Sequence, residues 1–216
     1  MRAQSETDND TPRFDGSGSP NPTRVERLKL MRQDVQILFA DLQPPLVQTC
    51  RSIAPETLCK GAHILARVAR IVDVPMTFSV VPVDGKPGSL IPELRPYAGD
   101  NNVFQRMSTA TFMDPGLVAA LERHGRKTLV ISGFTSEAAV LHSVVGAIEA
   151  GYTVHVPVDA IGSWWARTEE AALRQMEIAG AIPTSVSTLA TLLAPDSSSE
   201  NGVQVLAAIK DLDAGD

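Results

Sequence analysis

Apolar side chains along this chain fall into two alternating rhythms. Short continuous runs, rich in β-branched and aromatic residues, occur at Val35–Ala40, Pro75–Val81, Lys127–Gly133 and Tyr152–Val158. Such runs predict strands buried on both faces. Shorter runs at Asn102–Met107 and Thr184–Val186 predict two more. Between them the apolar positions recur every three or four residues. In Pro55–Ile71 they fall at Leu58, Ala62, Leu65, Ala66 and Ala69. That spacing predicts a helix with one buried stripe. Pro115–His124, Glu137–Ala150, Thr168–Ala179 and Leu189–Leu193 read the same way. Pro115 suits a first helical turn. Gly151 and Gly180 suit left-handed helix ends.

Alternation of this kind predicts an α/β fold: three layers, Rossmann-like, with a mostly parallel six-stranded sheet and helices on both faces. The chain is 216 residues long, and the expected domain covers about 25–195. Residues 1–24 are rich in Asp, Asn, Ser, Gly and Pro and nearly free of aliphatic side chains, so they are expected to form a disordered tail. Residues 196–216 open with a Ser-rich linker. A short apolar segment, Val203–Leu212, then predicts a helix that docks on the domain or on a neighbouring subunit.

Composition narrows the function classes. The formal net charge is −6 and no dense Lys/Arg run occurs, so a nucleic-acid partner is not expected. No apolar run reaches the roughly 18 residues that a membrane helix needs, and no membrane partner is expected. Cys50 and Cys59 provide neither a disulfide framework nor a metal spacing and read as free thiols in a reducing, cytoplasmic setting. The four histidines are scattered, and the loop Val83–Gly88 contains none, so no metal is expected. Neither phosphate-binding glycine pattern occurs, and no cofactor is expected.

Ligands of parallel sheets bind beyond the carboxyl ends of the strands. Asp41 and Gln43 follow the first strand there, and Arg106 follows the third. Asp41 is a candidate acid/base or a turn cap. Arg106 is a candidate partner for Asp41, a clamp for an anion, or a surface cation. The fourth strand runs into Gly133-Phe134-Thr135-Ser136-Glu137-Ala138-Ala139, a tight turn feeding a helix. Thr135 or Ser136 is expected to cap that helix, with Glu137 at the positive end of its dipole. Amide N–H groups at such an end suit a developing oxyanion. Asp159 closes the fifth strand. Trp164 and Trp165 follow it, as a pocket wall or a subunit contact. The helix after the turn is apolar nearly all round, which predicts a homo-oligomer.

Taken together, Asp41-x-Gln43, Arg106 with Phe112 six residues later, Gly133-x-Thr135-x-Glu137-x-Ala139-Val140, Gly151-Tyr152-x-Val154 and Val158-Asp159-Ala160 resemble the isochorismatase-like hydrolase superfamily. Gly88–Leu94 (GSLIPEL) resembles a branch of cysteine hydrolases within it. The resemblance covers roughly residues 30–195. It implies Asp41 as acid/base and Arg106 in the place commonly held by Lys. It also implies a cis peptide at Phe134–Thr135 and an oxyanion hole from the amides near Thr135 and Ala139. Gln43, Phe134 and Trp164 would contact substrate. The nucleophile would fall at position 139, where this chain has alanine. A methyl group cannot form an acyl-enzyme. Ser136, Ser143, His142 and Cys50 are the nearby side chains that offer substitutes. Three accounts stay open. The chain is a hydrolase acting on a small molecule by acid/base chemistry from Asp41, as true isochorismatases cleave a vinyl ether without a cysteine. Or it is a non-catalytic binding or scaffold homologue. Or it is a cysteine amidohydrolase inactivated by replacement of its cysteine with alanine.

Overall fold

The structure, a computed structural model, describes residues 25–213. The N-terminal segment read as a tail, residues 1–24, lies outside them. The elements run β1 (Val35–Ala40), α1 (Pro44–Val47), α2 (Pro55–Ile71), β2 (Met76–Val80), β3 (Val103–Gln105), α3 (Pro115–Arg123), β4 (Thr128–Phe134), α4 (Leu141–Glu149), β5 (Thr153–Pro157), β6 (Ile161–Gly162), α5 (Ala166–Ala179), β7 (Ile182–Thr184), α6 (Val186–Leu193) and α7 (Glu200–Asp213).

The sheet is parallel in every pairing and ordered β3-β2-β1-β4-β5-β7. It has seven strands, not the six expected, because β6 adds itself to the carboxyl end of β4 at Gly133 and Phe134. Two residues are too short a run to register as a strand in the apolar pattern. Side chains of β1 alternate between faces, as a pleat requires. Val35, Ile37 and Phe39 pack with α2, α6 and α7; Leu38 packs with α3, α4 and α5. Each face buries its own apolar cluster, which is the three-layer arrangement. Phe39 and Phe78 stack with ring centres 5.1 Å apart, linking β1 to β2. The C-terminal helix begins earlier than expected, at Glu200, and docks on the chain's own α2 and α6, burying Val205 and Ala208. Among the described residues no helix is long and apolar enough to cross a membrane.

The last strand lies two residues before its expected position. Pro183, in its middle, reads as a breaker, but β7 is an edge strand, where a missing N–H costs little. α2 matches the predicted span, since Pro55 at its start and a continuous apolar stripe leave no ambiguity.

The central pair is tight. A Cβ added at Gly133 would lie 2.4 Å from the Ala40 carbonyl oxygen. Gly133→Ala therefore has to push β1 and β4 apart beside Asp41. The expected loss is about 1–3 kcal/mol, read as a fall of roughly 2–4 °C in Tm per kcal/mol. An unchanged melting curve would show that the pair can slide without cost.

Candidate active site

The pairing register places three strand ends together. Ala40 lies opposite both Ser79 on β2 and Gly133 on β4. Asp41 follows at once, with a left-handed backbone (φ 57°) that Asp tolerates better than most residues. Its N–H donates to the Ser79 carbonyl, and the Ser79 hydroxyl donates back to Asp41 Oδ1 at 3.3 Å. Arg106 follows β3, two strands away, about 10 Å at ordinary strand spacing. Its N–H donates to Val80 O, and its long side chain crosses the end of β2. Arg106 Nη2 then donates to Asp41 Oδ2 at 2.5 Å, a buried ion pair. Arg106 Nη1 donates to the Ser108 carbonyl.

Burial pushes the Asp41 carboxyl up from its ordinary 3.8 to about 6; the Arg106 charge and the Ser79 hydrogen bond pull the other way and only partly offset it. An acid held there is divided between its two protonation states near neutrality, which suits proton transfer.

The second wall is the turn after β4. The peptide Phe134–Thr135 is cis. Ser136–Val140 then form a π-helical turn before α4 begins at Leu141, where the sequence predicts a regular helix from Glu137. π-turns of this kind recur at functional sites. Neither expected cap holds. Thr135 occupies the N-cap without a side-chain cap bond, and the Ser136 hydroxyl points elsewhere, donating to Gly162 O and Glu169 Oε2 at 2.9 Å each. Glu137 accepts from the Ser163 and Thr168 hydroxyls. Ser52 also donates to Glu169 Oε2, at 3.0 Å, and accepts from Ser163 N–H. Burial raises the Glu169 carboxyl, and the nearby Glu137 charge adds to that rise. This network clamps the turn to β6 and the start of α5 from behind. Sequence reading missed it, because Ser52 and Glu169 stand far apart in the chain and carry no local pattern.

β6 fixes the third wall. Its pairing at Phe134 brings Trp164 edge-on to the Phe134 ring, centres 6.3 Å apart. Trp164 Nε1–H donates to the Thr49 hydroxyl at 3.0 Å.

Asp41, Arg106, Phe134, Thr135, Ala139 and Trp164 thus border one cleft of about 260 Å³. Ala139 contributes a methyl group. Gln43 sits behind the cleft; its amide holds the Val81 main chain through both N–H and C=O. The Gly88–Leu94 loop is pinned by Ile91 N–H on Leu42 O, with Ile91 and Leu94 buried. Asp159 caps α6 by accepting from Val186 N–H. Ser143 donates to Ala139 O, and Cys50 is buried beside Ser52; neither borders the cleft. His142 is exposed and Trp165 points to solvent.

Residues 33–188 match the isochorismatase domain. The chain belongs to the isochorismatase family. Within it, YcaC of Escherichia coli (strain K12) is 28% identical over 155 residues, which cover 71% of this chain and 74% of YcaC. Its crystal structure, described as an octameric hydrolase of unknown specificity, superposes with a TM-score of 0.77 over 89% of this chain and 90% of that one, at 25% identity. YcaC of Pseudomonas aeruginosa gives 0.78 at 26% identity, over 83% and 91%. The secreted isochorismatase effector Isc1 of Phytophthora sojae is 26% identical over 164 residues, covering 72% of this chain and 75% of Isc1. The three-layer sheet and the isochorismatase-family membership agree.

Proposed function

We propose that this chain is a hydrolase acting on a small molecule by acid/base chemistry from Asp41, with no covalent intermediate at position 139. One observation carries this reading: a buried carboxyl with its pKa near 6 borders a cleft whose residue 139 is a methyl group. Protonated Asp41 gives its proton to the substrate; water adds to the carbon made electrophilic; a proton from that water restores Asp41. For a vinyl ether the proton goes to the terminal carbon, water adds to the resulting oxocarbenium carbon, and the hemiketal releases an alcohol and a ketone. Arg106 holds the carboxyl in place. The half-buried outer face of α4 and the octameric state of YcaC support assembly of several copies.

The test compares the chain, Asp41→Asn and Ala139→Cys on amides, esters and vinyl ethers, with neutral and carboxylate-bearing members of each. Turnover by the chain that Asp41→Asn abolishes is the expected result. Turnover that survives Asp41→Asn would remove Asp41 from the chemistry. Turnover only in Ala139→Cys would identify a cysteine-hydrolase site that lacks its thiol. Silence from all three would leave a binding homologue.

A further inference from the structure

The hydroxyl network behind the turn is short of one proton if its carboxyl groups are all ionised. The Ser136 hydroxyl lies 2.9 Å from the Gly162 carbonyl oxygen and 2.9 Å from Glu169 Oε2. Both neighbours are then pure acceptors, and a hydroxyl has one proton to donate. Ser52 does not supply the second. Its oxygen accepts the Ser163 N–H at 2.8 Å, and its own proton is directed at Glu169 Oε2, 3.0 Å away. An ionised Glu169 therefore leaves one oxygen–oxygen contact at Ser136 with no hydrogen in it. Ser136 is fully buried, so bulk water does not reach that contact. A proton on Glu169 Oε2 completes the network. Oε2–H donates to Ser136, Ser136 donates to Gly162 O, and Ser52 donates to Oε2.

Glu137 is the other carboxyl of the network, and its surroundings suit an anion. The Ser163 hydroxyl donates to Glu137 Oε2 at 2.5 Å, a length typical of a hydroxyl on a carboxylate. Thr168, which contacts Glu137 Oε1 and the Trp165 carbonyl, is exposed, so water can complete its bonds. A second anion beside Glu137 is disfavoured by like-charge repulsion. The other titratable and charged groups of the surrounding elements are engaged elsewhere or exposed. The loop after α1 carries Cys50 and Arg51, and Arg51 Nη1 donates to the Gln48 and Cys50 carbonyls. α4 carries His142 and Glu149, both exposed, and β6 and β7 carry none. On α5, Glu170 pairs with Arg174 at 2.6 Å and Arg167 is exposed. Among the described residues Glu169 has no ion-pair partner. Burial raises its carboxyl most, against the Ser136 and Ser52 hydrogen bonds, and the Glu137 charge adds to the rise.

We propose that Glu169 is a neutral carboxylic acid in the folded chain at pH 6, and that its proton fixes the Ser136–Val140 turn. Glu169 does not border the cleft. It is a positioning residue, acting through Ser136 on the turn that presents Thr135 and Ala139. The inference goes beyond the reading of Asp41 and does not depend on it. As pH rises the proton leaves, the Oε2–H bond to Ser136 is lost, and two anions share one network.

Three readouts test this. The first is the infrared carbonyl band of protonated carboxyl groups at pH 6, where an ordinary glutamic acid is almost wholly ionised. One contribution to it is expected to vanish in Glu169→Gln and to survive in Asp41→Asn. A band that Glu169→Gln leaves unchanged overturns the proposal. The second is urea unfolding at pH 5 and pH 8. Glutamine keeps an N–H on Ser136 and cannot ionise. Glu169→Gln is expected to unfold at the same urea concentration as the unaltered chain at pH 5 and at a higher one at pH 8. The sign follows because a native pKa above the unfolded one lends stability at low pH that is lost as pH rises through it. Glu169→Ala, which has no donor, is expected to unfold at a lower urea concentration than the chain at pH 5. A Glu169→Gln chain weaker than the unaltered one at pH 5 would show that the network needs an anion there, and sinks the idea. The third readout is positional. Trp164 packs edge-on against Phe134, where the turn begins. In a Trp165→Phe chain Trp164 is the sole tryptophan. Its emission is expected to show a pH-dependent change that Glu169→Gln removes and Asp41→Asn keeps. An emission that titrates alike with and without Glu169→Gln refutes the positioning role. None of these readouts needs turnover, so a catalytically silent chain can satisfy all three and an active one can fail them.

Discussion

Asp41→Asn is expected to slow turnover by about 10²–10⁴-fold, the usual worth of a positioned general acid. The amide keeps the shape of the carboxyl but has no proton of suitable acidity to give. The pH profile adds the sign. Asp41 titrates near 6, raised from 3.8 by burial. If its protonated form is the acid, kcat/KM is flat below about pH 6 and falls about tenfold for each further pH unit. Asp41→Asn removes that limb. A limb that rises through pH 6 would instead make Asp41 the base that activates water. Because Asn also leaves Arg106 without its counter-charge, far-UV circular dichroism must show a folded variant before the rate is compared. An unchanged rate in a folded variant would end the case for Asp41.

Arg106→Ala is expected to cost about 3–5 kcal/mol of stability at pH 8, because the Asp41 carboxylate is left buried and unpaired. The loss should shrink at pH 5. Without Arg106 the Asp41 pKa rises further, so at pH 5 the group is neutral and no longer needs a cation. In the unaltered chain the same linkage runs with a definite sign. The native carboxyl has a higher pKa than the unfolded one, so between about pH 4 and 6 the native state holds more proton. Stability therefore falls as pH rises through that window and levels off above it. Urea unfolding at both pH values checks this. An equal loss at pH 5 and pH 8 would mean that Arg106 matters only as packing.

The apolar rhythm carried most of the fold because a doubly covered parallel sheet has few other ways to bury such runs. Strand ends were legible for the same reason, and with them Asp41 and Arg106. What stayed hidden depends on contacts distant in sequence. β6 is a two-residue strand created by its partner β4. The π-turn at Ser136–Val140 closes on its own backbone, but the Ser136 hydroxyl anchors it to Gly162 and Glu169, residues distant in sequence. The Glu137–Glu169 clamp joins segments with no common pattern. Gln43 shows the limit of proximity in sequence: two residues from Asp41, it turns away and fastens Val81.

The strand order has a consequence for the protein's synthesis. β1 is made early, yet one of its two neighbours, β4, begins only at Thr128. Until then the nascent chain holds an exposed apolar strand edge, a state prone to mispairing. The cleft is later still, since its wall at Trp164 depends on β6 docking against β4. A ribosome must therefore deliver about three-quarters of the chain before any fragment can carry the site, and a truncated product is a candidate for aggregation rather than for partial activity.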